Sequence, residues 1–262
     1  MAPEILAATG PLVLTPLPMV MRCIAKAGFS SVEVMSGFNR ATHDPGRIKS
    51  AANAYGLDVA AIHGPFLLAQ RHLMGAYSTK CIQSMRLAQK VGAKVMIAHS
   101  PFRFEPWSMR WLFNNVDRLE AETGVFFAME NLYPAHGVNA AAVITIDQMR
   151  PFKHLTMDTS HAAVSGIDLF DMFDELRDQI VHLHVADNYG KGVDSHAPLG
   201  SGVLPLARFL RHVGDSGWDG TITLELDVRA YLDTPRSLSE FLARQRLKCE
   251  AALAGEVTDK DW

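Results

Sequence analysis

The chain has little of what marks exported or membrane-spanning proteins. Its 262 residues include only three cysteines, Cys23, Cys81 and Cys249. They are odd in number and widely spaced, which predicts buried thiols in a reducing cytosol and no disulfide framework. No run approaches the ~18 consecutive apolar residues of a membrane-spanning helix, and the first residues lack the basic segment and apolar core of a signal peptide. We therefore expect a soluble, cytoplasmic protein with no membrane partner.

An excess of positive charge is also missing. The chain has 25 Lys and Arg against 28 Asp and Glu, a net charge of −3. It therefore lacks the overall basic field that holds nucleic acid or an anionic membrane. The charge balance disfavours nucleic acid as a partner but does not exclude it, because a local basic patch can suffice.

What the chain does have is a regular alternation of short apolar runs and helical patterns. This alternation is typical of βα units around a parallel sheet, and ~250 residues is the usual size of a (β/α)8 barrel. We predict a single (β/α)8 TIM barrel domain over residues 1–262. The predicted strands are 5–9, 31–35, 59–63, 95–99, 125–130, 155–158, 180–184 and 221–226. The predicted helices are 16–27, 46–56, 79–92, 106–123, a weak one near 144–150, 168–177, 205–216 and 235–254.

Local signals suggest where these helices begin and what lies between them. Ser78 or Thr79, Asp168 and Thr234 are expected helix starts, because short polar side chains cap helix N-termini. The loops that follow the strands are long, that of residues 64–77 among them. The polar tail, residues 254–262, is expected to be loose.

Six of the apolar runs end on a potential metal ligand. These residues are His63, His99, Glu130, Asp158, His184 and Glu225. In a (β/α)8 enzyme the chemistry lies at the carboxyl ends of the strands. The pattern therefore predicts that one rim of the barrel collects the polar groups of an active site.

The last four strands are predicted to bring three carboxylates and one imidazole to one point. Each residue alone is typical of a solvated strand end, but their convergence indicates a metal site. An oxygen-rich set of this kind suits Mn, Mg, Co, Fe or Zn ions better than a cysteine-based structural zinc site would. The predicted metal ligands are Glu130, Asp158, His184 and Glu225.

Five further residues are candidates for substrate binding or for additional metal ions. His161 follows Asp158 by three residues and either orients that carboxylate or binds a second metal or substrate oxygens. His63 and His99 either form hydrogen-bonding walls or bind an additional metal. Asp194 and His196 lie in a glycine-rich loop that could complete a third metal position.

Three smaller features carry their own expectations. The glycines of the loop after the seventh strand could form a phosphate cradle, because this loop is a recurring phosphate site in the fold. His182 precedes His184 by two residues, so both face the same side of their strand. We interpret His182 as a buried hydrogen-bonding residue one layer deeper, and Glu33 as an internal hydrogen-bonding acid.

Four segments resemble the xylose isomerase-like TIM barrels, namely HLTMDTSHAAVSG, FFAMEN, HLHVADNYGKG…HAPLGSG and ITLELD. That superfamily contains sugar and sugar phosphate isomerases and epimerases, inosose dehydratase, 3-dehydroshikimate dehydratase, and the AP endonuclease family 2 proteins related to endonuclease IV. In the epimerase branch, the resemblance implies that Glu130, Asp158, His184 and Glu225 bind one divalent metal. It further implies that the two glutamates exchange protons with a substrate carbon and that His161 contacts substrate hydroxyls.

The resemblance also extends to endonuclease IV, although two departures bear on the choice between activities. All nine ligands of its three zinc ions have counterparts here: His63, His99, Glu130, Asp158, His161, His184, Asp194, His196 and Glu225. The run VADNYG after His184, however, differs from a lysine-containing run in endonuclease IV. Ketose 3-epimerases carry a substrate-binding arginine where this chain has Gly190, so the resemblance does not specify that reaction.

The leading hypothesis is a divalent-metal-dependent isomerase or epimerase of a small sugar, sugar phosphate or cyclitol. Glu130 and Glu225 would be its catalytic proton carriers, with one ion favoured and up to three allowed. The alternatives are a multinuclear metal hydrolase of phosphodiesters or phosphate esters, a dehydratase of a polyhydroxy ketone, and a non-catalytic metal-dependent binding protein. The sequence leaves substrate, metal identity and homo-oligomer formation open.

Overall fold

The structure, a computed structural model, describes residues 3–37, 39–65, 76–135 and 137–262. Eight parallel strands close into a barrel in which each strand pairs with its neighbours in chain order. The strands are β1 Glu4–Ala8, β2 Ser31–Met35, β3 Asp58–His63, β4 Val95–His99, β5 Phe126–Glu130, β6 His154–Asp158, β7 Ile180–Val185 and β8 Thr221–Leu224. The predicted (β/α)8 fold is confirmed, with strand boundaries that agree to within two residues.

Helices follow the strands along the chain and cover the outside of the barrel. In the described ranges these are α1 Leu17–Lys26, α2 Pro45–Asn53, α3 Tyr77–Val91, α4 Pro106–Thr123, α5 Ile146–Met149, α6 Thr159–Ser165, α7 Leu169–Leu176, α8 Leu206–Asp215 and α9 Pro235–Leu253. Short 3-10 turns occupy Gly10–Leu12, Arg40–His43 and Arg229–Tyr231. The expected long loop after β3 lies mostly outside the described residues, because 66–75 are not among them.

The apolar residues are divided between two layers. The larger cluster lies between the strands and the helices, and phenylalanines such as Phe127, Phe173 and Phe209 are almost fully buried in it. A small cluster fills the inside of the barrel: Leu6, Ala61, Val95, Ile97 and Ala128. Burial of this apolar surface is the main favourable contribution to folding, so the polar rim is not needed to hold the barrel together.

Several local expectations are borne out. Asp168 caps α7 by accepting from the N–H groups of Phe170 and Asp171, and Thr234 caps α9. The three cysteines are buried and unpaired. In the part of the chain that the structure describes, no helix combines the length and apolar character needed to cross a membrane.

Three expectations are wrong. Helix α3 begins at Tyr77 and has Ala76 at its cap position, so neither Ser78 nor Thr79 starts it. The segment after Asp158, for which no helix was predicted, forms α6. The tail is docked instead of loose: Asp259 accepts from the N–H of Ala207 at 2.8 Å and pairs with Arg208 at 2.8 Å. A carboxylate at a helix N-terminus satisfies N–H groups that have no partner within the helix.

Candidate active site

The strand register explains why distant residues meet at one rim of the barrel. His99 at the end of β4 is opposite Glu130 at the end of β5, and Asp158 at the end of β6 is opposite His184 on β7. Side chains at alternate positions of a strand point to the same face. These four therefore approach one another in the mouth of the barrel.

Glu130 lies at the centre of the rim, surrounded by four imidazoles. Its Oε2 is 2.8 Å from Nε2 of His99 and 3.6 Å from Nε2 of His63. Its Oε1 is 2.9 Å from Nδ1 of His184 and 3.6 Å from Nδ1 of His161. The carboxylate is fully buried, so little solvent screens its charge and it interacts strongly with all four rings.

His184 links Glu130 to the other carboxylates. Its Nδ1 lies 3.2 Å from Oε2 of Glu225 and 3.7 Å from Oδ2 of Asp158. Its Nε2 faces the interior of the barrel and lies 3.1 Å from Oε2 of Glu33. One imidazole nitrogen is therefore directed at the rim and the other is held by an acid beneath it.

That acid belongs to a polar layer directly below the rim. Oε2 of Glu33 also lies 3.0 Å from Nε2 of His182 and accepts from the hydroxyl of Thr223 at 2.8 Å. Both predictions for this layer are confirmed, since Glu33 and His182 are buried hydrogen-bonding residues. The layer orients His184, as partners of metal-binding histidines generally do.

A second group of candidate metal ligands lies beside the first. Asp194 approaches Nε2 of His196 at 2.8 Å and Nε2 of His161 at 3.4 Å, and its other oxygen accepts from the hydroxyl of Ser160 at 2.6 Å. Nδ1 of His196 lies 2.8 Å from the carbonyl oxygen of Glu225, which ties the loop after β7 to the end of β8. The loop residues are thus part of the rim, as the sequence predicts.

The electrostatics of the rim are dominated by closely spaced carboxylates. Burial by itself raises the pKa of Glu130, but the charges of His184 and His99 lower it well below its usual value. Burial lowers the pKa of His184, but three glutamates raise it well above the usual value. Burial also lowers the pKa of His161, but the nearby carboxylates of Asp158 and Asp194 raise it to about 9. Without a metal ion, protons on His184 and His161 offset part of this negative charge, whereas burial lowers the pKa of His99.

The donor set fits a divalent metal. His63, Glu130, His184 and Glu225 each offer a ligand atom, and these atoms lie within 4.8 Å of one another. Asp158 belongs instead to a neighbouring group, together with His161 and His196. Its Oδ2 is buried and has no hydrogen-bond partner among the described residues, as expected of an oxygen shaped to face a cation.

A cavity of about 550 Å³ opens directly above these groups. This volume is within the range of small-molecule sites. Of the nine residues predicted to form the site, six line the cavity: His99, Glu130, His161, Asp194, His196 and Glu225. His63, Asp158 and His184 lie behind them and contact them from below.

Three residues that hold the rim and its loops in place were not predicted from the sequence. They are Asn131, Ser160 and Asp187. The side chain of Asn131 bonds both the N–H and the carbonyl of Asp158, at 2.7 and 3.0 Å, and Ser160 bonds Asp194. Asn131 follows Glu130 directly in FFAMEN, so its position was a signal that could have been used. Asp187 has no comparable sequence signal.

Asp187 occupies the place where a phosphate cradle was expected. Its buried carboxylate accepts from the N–H groups of Gly200 at 3.1 Å and Gly202 at 2.9 Å. It also accepts from those of Asn188 and Leu204. A Cβ on Gly202 would overlap this carboxylate. The glycine N–H groups therefore bind the protein's own anion, and the expectation of a phosphate cradle in this loop is wrong.

The chain belongs to the xylose isomerase-like TIM barrel family, whose members match it over residues 21–246. The resemblance noted from the sequence is thereby confirmed. An uncharacterized protein of Mycobacterium leprae (strain TN) is 27% identical over 245 residues, which covers 83% of this chain and 88% of the relative. Fructoselysine 3-epimerase of Escherichia coli O157:H7 is 37% identical over 93 residues, which covers 36% of this chain and 32% of that enzyme.

Solved structures extend the comparison to the whole fold. A D-tagatose 3-epimerase-like protein superposes with a TM-score of 0.73 at 17% identity, over 97% of this chain and 100% of the other. At that identity the likeness demonstrates a shared fold. Function must then be argued from the site itself.

Proposed function

We propose that the protein is a divalent-metal-dependent isomerase or epimerase acting on a small polyhydroxylated carbonyl compound. The observation that carries the proposal is the pair of carboxylates Glu130 and Glu225. Both line the cavity, and both contact Nδ1 of His184, at 2.9 and 3.2 Å. Two acids at one point of a cavity can remove a proton from a carbon and return it.

The residues proposed to hold the metal are Glu130, Asp158, His184 and Glu225. The buried, unpartnered oxygen of Asp158 and the shared contacts at His184 support this assignment. A bound divalent ion would act as a Lewis acid and make the proton next to the substrate carbonyl easier to remove.

The chain's own groups would perform the proton transfer. The mechanism requires Glu130 and Glu225 to reach the bound carbon from opposite sides; Glu225 is slightly exposed, whereas Glu130 is fully buried. Removal of a proton by one carboxylate and return by the other would invert that carbon. The rings of His99 and His161, which also line the cavity, would bind substrate oxygens.

Solvent exchange tests the proposal directly. The metal-loaded protein is incubated in deuterated water with ketoses, aldoses and cyclitol ketones, and the carbon between carbonyl and hydroxyl is examined by NMR. We expect deuterium incorporation that is lost after chelation and in Glu225→Gln. Absence of exchange across the panel would contradict the proposal, and accumulation of a dehydrated product would identify β-elimination instead.

A second candidate is a multinuclear hydrolase of phosphodiesters or phosphate esters. The observation in its favour is the second ligand group, Asp158, His161 and His196, next to the first. If this candidate is correct, the protein binds close to three ions and cleaves a model phosphodiester. Binding of one ion together with carbon–hydrogen exchange would exclude it.

A further inference from the structure

The cavity has two chemically different sides. Its floor carries the carboxylates and imidazoles, including Glu130 and Glu225, whereas its opposite wall is apolar. The wall consists of Phe102, Leu132, Val138, Ala140 and Ala141, which we call the apolar wall. Val138 is 64% exposed, and because it belongs to a contiguous apolar patch that lines a cavity, it is available to contact a ligand.

The apolar wall is a built element of the fold. Phe102 forms an antiparallel bridge with Ala141, and the N–H of Ala142 donates to the carbonyl of Pro101 at 3.0 Å. The hydroxyl of Ser100 accepts from the N–H groups of Ala142 and Val143. These bonds join the loop after β4 to the loop after β5. The wall is therefore pre-organised, which reduces the entropy cost of binding a ligand against it.

A phosphorylated ligand finds few partners in this cavity. The glycine-rich loop after β7 directs its N–H groups at Asp187 instead of at the cavity. Apart from histidines, Arg229 supplies the only cation among the described lining residues. Its guanidinium is already bonded to both carboxylate oxygens of Asp227, so binding a phosphate there would require breaking that pair or tolerating a nearby carboxylate.

We propose that the substrate is an unphosphorylated polyhydroxylated carbonyl compound that carries an apolar substituent. This inference depends on the proposed isomerase or epimerase function. The polyol part would lie between Glu130 and Glu225, and the substituent would lie on the apolar wall against Val138 and Phe102. A substituted sugar therefore satisfies both sides of the cavity, whereas a free sugar or a sugar phosphate leaves the wall exposed to water.

The test compares D-fructose, its 6-phosphate and its 1-O- and 6-O-benzyl ethers on the metal-loaded protein. Binding is measured by titration calorimetry and carbon–hydrogen exchange by NMR in deuterated water. We expect at least one benzyl ether to bind about tenfold or more tightly than D-fructose, because burying a phenyl ring is strongly favourable. The 6-phosphate should bind no better than D-fructose.

Variants of Val138 separate the apolar wall from the rest of the site. Val138→Asp and Val138→Ser should reduce benzyl ether binding by about tenfold, since each removes most of an apolar contact, and should affect benzyl ether binding more than D-fructose binding. Leu247→Asp, at another exposed apolar position outside the cavity, is the matched control and should change neither. Thermal unfolding of each variant verifies that the fold is retained.

Each result has a distinct meaning. The proposal that the substrate carries an apolar substituent would be overturned if the 6-phosphate bound more tightly than the ethers. It would also be overturned if the ethers and D-fructose bound equally tightly. A wild-type dimer that Val138→Asp converts to a monomer would also overturn it, because the wall would then be an interface between two copies. If benzyl ether binding depends on Val138 but no carbon–hydrogen exchange is detected, the apolar subsite is supported and the proposed isomerase or epimerase function is contradicted.

Discussion

Replacement of Glu33 by Gln tests whether the layer beneath the rim controls metal binding. Oε2 of Glu33 lies 3.0 Å from Nε2 of His182, 3.1 Å from Nε2 of His184 and 2.8 Å from the hydroxyl of Thr223. The negative oxygen favours a proton on Nε2 of His184, which leaves Nδ1 as the nitrogen that faces Glu130 and Glu225. Gln has the same shape but no charge, and its amide adds two donors to a site where three donors already converge.

The expected loss in metal affinity can be estimated from this geometry. Changing the partner of a metal-binding histidine typically weakens metal affinity by about 10–100-fold. That range corresponds to about 1.4–2.7 kcal/mol in the free energy of binding. Burial raises the pKa of Glu33, but His184 and His182 lower it well below its usual value, so the wild-type side chain is charged at neutral pH and the substitution removes a full charge.

The dissociation constant for Mn²⁺ is measured by competition with a fluorescent chelator at neutral pH. Glu120→Gln is the matched control, because Glu120 is also a buried acid and bonds a histidine, His154, at 2.7 Å. It lies at the other end of the barrel, beside the start of β5 and β6. The reasoning would be refuted if Glu33→Gln bound Mn²⁺ as tightly as wild type. It would also be refuted if Glu120→Gln lost as much Mn²⁺ affinity as Glu33→Gln.

Four further outcomes are expected. Asp187→Asn should destabilise the loop after β7 by about 1–3 kcal/mol, because an amide N–H would face backbone donors; limited proteolysis should then cut residues 188–204 faster, and unchanged cleavage would contradict this role. Burial raises the pKa of Glu120, but hydrogen bonds from His154 and Phe127 lower it overall. Its contribution to stability is therefore present above the unfolded pKa of ~4.3 and lost as the pH falls through the folded pKa. Acid unfolding monitored by circular dichroism should be less pH-dependent in Glu120→Gln than in wild type. Chelation should abolish exchange activity with little loss of helical signal, since the core does not involve the rim, and global unfolding on chelation would show otherwise. His63→Ala should leave a stoichiometry of one ion per chain by elemental analysis if one ion is bound, whereas a fall from three ions to two would favour the hydrolase.

The barrel and most of its candidate site could be predicted from the sequence because the signals are local. A buried strand is a short apolar run, and the residue at its end is visible without knowledge of its partners. The order of strands then follows from the right-handed βαβ connection. In this way His63, His99, Glu130 and His184 could be assigned to one rim from their positions alone.

The tertiary structure decided how those residues are held and what the cavity accepts. Asp187 bonds Gly202 across 15 residues, and Asp259 caps α8 across 52 residues. Such contacts leave no periodic pattern, because they join loops whose relative positions depend on the finished barrel. The same is true of Val138 and Phe102, which form one wall only once the loops after β4 and β5 are joined by hydrogen bonds. The sequence alone therefore determined the fold and the candidate ligands, whereas long-range loop contacts determined the shape and polarity of the cavity above them.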